Sequence, residues 1–330
     1  MKSFLLATLA SSACLLASLA TAQPVYRLKA VQSPTGQQIR ATSINNRGHI
    51  AGIFEGATGE SHIFLYRNGT LSDLGVVAGD VLSVSVNDLD EIVGTGTLPF
   101  LWRHGTFKDL TSLGVATVQD INNRGQFVGR TTDGYAYRYS HGEVERFGMP
   151  GDWSEAYAIN DLGQVVGAMN RPDDNAPHAF LNDHGTLQEI GPPYDSYATT
   201  INERGHVSLT YFDDFLGSVA IYRKGVTSPR IWSTADGTSI NNAGDLLGQF
   251  YRTFPGDPGG AVLLYKDGVA YFLQPLIDPA ELPKSELFLS EAGDINDRGQ
   301  IVANGILGVS ASRFFILTPV SQTAASQANN

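Results

Sequence analysis

Cysteine is almost absent from this chain: one residue, Cys14, in 330. It falls inside the apolar stretch at the N-terminus, so a chain trimmed of that stretch has no disulfide framework and must draw its stability from core burial. A helical period of apolar residues is also missing, apart from one short segment, Lys284 to Leu289, so bundles and doubly wound α/β folds are excluded. Positive charge is scarce. Lys and Arg number 22 against 33 Asp and Glu, a net charge of −11, which argues against a nucleic-acid partner and against adhesion to anionic lipid.

The signatures of chemistry are missing as well. Gly308-Val309-Ser310-Ala311-Ser312 lacks the last Gly of a nucleophile elbow. No Gly-rich phosphate loop is present. Asp88 and Asp90 are a pair, not a calcium loop. The seven His residues show no His-x-His or His-Glu-x-x-His spacing, and a zinc site needs three or four ligands converging on one point. The expectation is no cofactor, no metal and no catalytic residue.

One long apolar run exists, from Phe4 to Leu19 behind Met1-Lys2, and it ends in Ala20-Thr21-Ala22. This pattern reads as a secretory signal over residues 1–22 with cleavage after Ala22. The expected location is secreted or periplasmic, with no transmembrane anchor after cleavage. The polar end, 319–330, reads as a disordered tail.

What fills the rest is a repeat. Ile44-Asn45-Asn46-Arg47-Gly48 returns at Ile121, Ile159, Ile201, Ile240 and Ile295, with a degenerate copy at Val86-Asn87-Asp88-Leu89-Asp90. The spacing of about 42 residues is that of a four-stranded propeller blade. An aromatic run follows in most units (Phe64-Leu65-Tyr66, Phe100-Leu101-Trp102), and three residues later comes a Gly. In the first unit, strand A covers 41–45, B 49–55, C 62–67 and D 70–74. Asn46-Arg47-Gly48 and Asn68-Gly69 are tight hairpin turns, and the Asn side chain closes the first of them by bonding backbone two residues on. Six units carry four strands and the seventh stops after strand C. The strand pattern at 25–31 supplies the missing piece. The predicted fold is all-β: a single seven-bladed β-propeller over 23–318, its ring closed by that N-terminal strand.

The repeat resembles the HAF repeat family of bacterial extracellular proteins. The naming triplet is present as His178-Ala179-Phe180 and, diverged, as His62-Ile63-Phe64; Asp73-Leu74-Gly75 keeps the last element of the pattern. The resemblance spans roughly residues 25–318 and implies an exported propeller with no catalytic residues to carry over. Asp90 in place of the turn Gly, and Leu209 and Ala303 in place of a second Gly, depart from the pattern and are expected to weaken their blades.

Strand order places A–B and C–D turns on one face and the variable B–C and D–A loops on the other, where binding residues usually sit. The B–C loops hold Asp173 and Asp174, the run Tyr211-Phe212-Asp213-Asp214-Phe215, and Tyr251 with Arg252. The D–A loops hold Asp152 and Trp153, and Tyr194 and Asp195 with Tyr197. Carboxylates beside exposed rings suit carbohydrate, because rings stack on apolar sugar faces and carboxylates accept hydroxyl protons. The expected role is a non-enzymatic, monomeric binding scaffold for a carbohydrate or an envelope protein. The alternative is a polysaccharide hydrolase or lyase using paired loop carboxylates.

Overall fold

The computed structural model describes residues 23–148, 152–171, 173, 176–213, 216–251, 260–281, 286–308 and 311–320. Residues 1–22, read from sequence as a signal, residues 321–330, and Asp174, Asp214 and Arg252 lie outside them. Seven antiparallel sheets form a ring, the seven-bladed propeller. In blade 1 the strands are Ile39–Ile44, Ile50–Glu55, Ser61–Arg67 and Thr70–Val77, paired in that order.

The C–D turns show why the sequence punctuates there. In all six complete blades both turn residues have positive φ: Asn68-Gly69, His104-Gly105, His141-Gly142, His184-Gly185, Lys224-Gly225 and Asp267-Gly268. That is the type I′ geometry whose twist matches the flanking strands. Three of the seven histidines are therefore turn residues.

Closure occurs where the two termini offered complementary fractions of a unit. Tyr26–Gln32 pairs antiparallel with Ala311–Pro319, from Tyr26 opposite Pro319 to Gln32 opposite Arg313. The strand is one residue later than the 25–31 read from sequence, and its partner runs one residue past 318. The N-terminal strand thereby covers the edge of Ala311–Pro319 and completes the four strands of this blade.

Burial is organised between blades. Each of seven apolar clusters joins residues of two neighbours: Phe64 and Tyr66 of blade 1 with Val302 and Phe314 of blade 7, or Val166 and Ile190 of blade 4 with Leu209 and Tyr222 of blade 5. Leu209 and Ala303, the departures from the second Gly, are fully buried in such clusters and keep the strand pairing of their blades. The predicted helix at Lys284 to Leu289 is not one. Residues 282–285 lie outside the described set, and from Leu287 the chain is the strand Leu287–Ile295, which pairs with Ile301–Leu307. A nine-residue strand with seven residues paired to a neighbour outweighs a weak local helical pattern.

The repeated Asn residues form a ring of their own. Each buried side chain donates from Nδ2 to the main-chain oxygen of the next: Asn45 to Asn87, Asn87 to Asn122, Asn122 to Asn160, Asn160 to Asn202, Asn202 to Asn241, Asn241 to Asn296, and Asn296 back to Asn45, at 2.8–3.2 Å. The Oδ1 atoms accept the turn amides, as at Arg47 and His49 on Asn45. A second belt lies outside the first. The residue after each Asn accepts the amide of its neighbour's counterpart: Asn46 N–H to Asp88, Asp88 to Asn123, Asn123 to Asp161, Asp161 to Glu203, Glu203 to Asn242, Asn242 to Asp297, and Asp297 to Asn46. Asn separates the carboxylates everywhere except at Asp161 and Glu203, and there the Glu203 carboxyl is pushed up, chiefly by burial and then by the Asp161 and Asp297 charges.

Candidate functional site

Strand A lines the ring axis, and a recurrent bulge decides which side chains reach it. Strand pairing slips by one residue at Thr42, Gln119, Tyr157, Thr199, Thr238 and Gly293, the third residue before the belt Asn in six of the seven blades. A strand alternates its faces, whereas a bulge turns two successive residues the same way. The bulged residue and the one after it consequently both line the axial cavity: Thr42 with Ser43, Gln119 with Asp120, Tyr157 with Ala158. In blade 3 a glycine in strand B makes room for the bulge. A Cβ at Gly129 would stand 2.2 Å from Thr117 O.

Two carboxylates sit deep on this axis, Asp120 and Asp294. Asp120 accepts from Ser85 Oγ at 2.6 Å and from the amides of Ile121 and Ile159, so it ties blade 3 to blades 2 and 4. Asp294 does the same between blades 6 and 1, through Ser239, Ser43 and Ile44. Burial pushes the Asp120 carboxyl up to about 6, against its three donors, and Asp294 moves up for the same reason. A carboxyl whose folded value is raised stabilises the fold fully when protonated and loses that contribution as pH rises through the folded value. A rise of about two units corresponds to about 3 kcal/mol. Urea midpoints for Asp120→Asn and wild type should therefore diverge between about pH 4 and 7, with only the wild type falling from this source. Parallel curves would remove Asp120 as the cause.

At the B–C/D–A face the axis opens into a cavity of about 510 Å³. Ser83, Gln119, Tyr157, Tyr197, Thr199, Thr210, Phe212 and Asp236 line it. Tyr197 and Phe212 meet edge to face, with centroids 6.2 Å apart. Tyr251 donates its hydroxyl to Asp236 Oδ2 at 2.5 Å. Burial, aided by nearby Glu155, raises the Tyr157 phenol, and burial with Asp195 raises Tyr197. Both are neutral hydroxyls at ordinary pH, donors and acceptors rather than bases. Asp236 is the one carboxylate among the lining residues.

The residues singled out from sequence divide accordingly. Tyr197, Phe212 and, through Asp236, Tyr251 come together at this mouth. Tyr197 and Phe212 lie in strands, Ser196–Ile201 and Val207–Asp213, rather than in loops as expected. Tyr194 and Asp195 are exposed beside them, and Asp195 O accepts the Phe212 amide at 2.9 Å. Asp213 is engaged by Ser218 Oγ at 2.6 Å and Arg230 at 3.2 Å. Asp152, Trp153 and Asp173 do not line the cavity. Sequence reasoning missed Gln119, Tyr157, Thr199 and Asp236. Gln119, Tyr157 and Thr199 share one repeat position, three before the belt Asn, and that register could have grouped them; Asp236 lies five before its belt Asn and carried no such signal.

No family model matches the chain. A 72-residue stretch is 31% identical to acetyl-coenzyme A synthetase of Xanthobacter autotrophicus (strain ATCC BAA-1158 / Py2), covering 22% of this chain and only 11% of that protein. Among solved structures, the β-propeller domain of the Trilobed protease from Pyrococcus furiosus, which has an open velcro topology, superposes with a TM-score of 0.57 at 12% identity, over 87% of this chain and 98% of that one. Pyrococcus horikoshii acylaminoacyl peptidase follows at 0.55 and 12%, over 89% of this chain and 54% of that one. These likenesses define the class, a β-propeller; at such identity they extend to the fold alone. Among the described residues no helix is long and apolar enough to cross a membrane.

Proposed function

We propose that this chain is an exported propeller of the HAF-repeat type that binds carbohydrate, without turning it over, at the B–C/D–A mouth of its axis. The observation that carries the reading is the pairing of Tyr197 and Phe212 above a floor of neutral hydroxyl and amide groups. Rings offer flat apolar area at low entropic cost, and Ser83, Thr199, Thr210, Gln119 and the phenols supply the donors and acceptors that a polyol needs. The leader-like sequence pattern of residues 1–22 favours export, and the acidic balance favours a neutral ligand over a polyanion. Cleavage of a glycosidic bond would call for two carboxyl groups at a set separation. The cavity offers Asp236, already bonded by Tyr251, and Asp213 is held by Ser218 and Arg230.

A thermal-shift screen of residues 23–330 against neutral oligosaccharides, with product analysis in parallel, tests the reading. A ligand at a hundredfold excess over Kd adds about 2.7 kcal/mol to the folded state. The expected result is a shift with at least one neutral sugar and no product. A panel without any shift rejects carbohydrate as the ligand, and product formation rejects the non-enzymatic role.

A further inference from the structure

Blades 1 and 2 are joined by a carboxylate clamp. Asp90 occupies the turn position that is Gly in the other six units, at φ +63°. Its carboxylate receives Asn45 Nδ2 at 3.3 Å, His49 Nδ1 at 2.6 Å and Arg67 at 3.3 Å, all from blade 1. The departure expected to weaken a blade is thus a bond between two.

Blade 5 repeats blade 1's donors. Asn202, His206 and Arg223 stand at the repeat positions of Asn45, His49 and Arg67, and His follows the turn in no other blade. Facing them across the next junction, however, is Gly244, where blade 2 has Asp90. The space a Cβ would enter there is open except for Arg223, whose Nη2 comes to 3.5 Å. His206 Nδ1 is shielded from solvent and has no hydrogen-bond partner among the described residues. Asn202 Nδ2 donates to Asn241 O, without the second acceptor that Asn45 finds in Asp90. Burial and then Arg223, Arg204 and Lys224 hold the His206 imidazole below its ordinary value. No carboxylate lies within ion-pair distance of these four groups among the described residues, in a chain with net charge −11.

We propose that the junction of blades 5 and 6 binds a ligand carboxylate, in the place that Asp90 fills between blades 1 and 2. Three donors that hold a carboxylate in one copy of the repeat are present without one in the other. An incoming carboxylate would accept from Asn202 Nδ2, from His206 in its Nδ1–H form and from the Arg223 guanidinium, hydrogen bonds of the charge-assisted kind. The site is on the A–B/C–D face and is independent of the sugar-binding proposal.

The test follows the His206 ring by NMR in residues 23–330 as acetate replaces chloride at constant ionic strength. The expected result is a saturable shift and a rise in the His206 pKa. Arg223→Gln should weaken saturation roughly tenfold or more. Gly244→Asp should supply the carboxylate internally: His206 titrates higher without acetate, and acetate no longer moves it. Galacturonate and a blocked aspartate, at equal concentration, separate an acidic sugar from an acidic peptide as the source, and saturation by either supports the site. A His206 response that is unsaturable, or unchanged in Arg223→Gln, overturns the proposal without relying on the Gly244 variant.

Discussion

A chain that begins after Gln32 should not fold to a stable monomer. The deletion strips a seven-residue ladder from Ala311–Pro319 and removes Tyr26, which is 1% exposed in the cluster shared by blades 6 and 7. Tyr26 O also accepts the Asp278 amide, and Ile277 bridges to Tyr26, so the long connection behind blade 6 loses its anchor. Burial of one such ring and loss of the ladder together amount to some 5–10 kcal/mol, on the order of a whole domain's stability. The freed edge should then pair with other copies. Tyr26→Ala is the milder form and should cost about 3–5 kcal/mol. Size-exclusion chromatography and urea unfolding read both, and adding a peptide of residues 23–34 should partly restore the truncated chain. A truncated monomer with an unaltered midpoint would mean that closure contributes nothing to the fold.

The second large effect is expected at the inner belt. Asn122→Ala leaves the amides of Arg124 and Gln126 and the Gln126 side-chain oxygen without their partner, and Asn160 O with the Gly163 amide alone, around a side chain that is itself buried. Unpaired buried groups cost roughly 1–3 kcal/mol each, partly relieved by water, so a loss of about 3 kcal/mol is expected. Asn242→Ala, in the half-buried outer belt, removes bonds that water can reach and replace and should cost about 1 kcal/mol. Urea unfolding of the pair separates the belts. Equal losses would show that position in the ring, not burial of the amide, sets the cost.

The blades were legible in the sequence because each signal was local. Gly and Asn mark turns, and six aromatic runs mark strand C. The closing strand was legible by counting strands. Two things were not. Asn45 was readable as a turn residue through its Oδ1, yet its Nδ2 reaches a neighbour 42 residues away, and no local pattern encodes that contact. The axial site was hidden by the bulge, which puts Tyr157 on the axis beside Ala158 against the alternation a strand implies. Asp90 looked like decay because a turn was the only role visible for it, while its three partners come from the preceding blade.

Calorimetric titration of the sugar that gives the largest thermal shift tests the central claim most directly, with wild type, Tyr197→Ala, Phe212→Ala and Gly244→Asp compared side by side. Loss of one stacking ring should cost about 1–2 kcal/mol, or roughly tenfold in Kd. Tyr197→Ala and Phe212→Ala should each weaken binding by that amount, while Gly244→Asp, on the other face, should bind as wild type does. Undiminished affinity in both ring variants, with all four proteins folded, would contradict a carbohydrate site at the axial mouth.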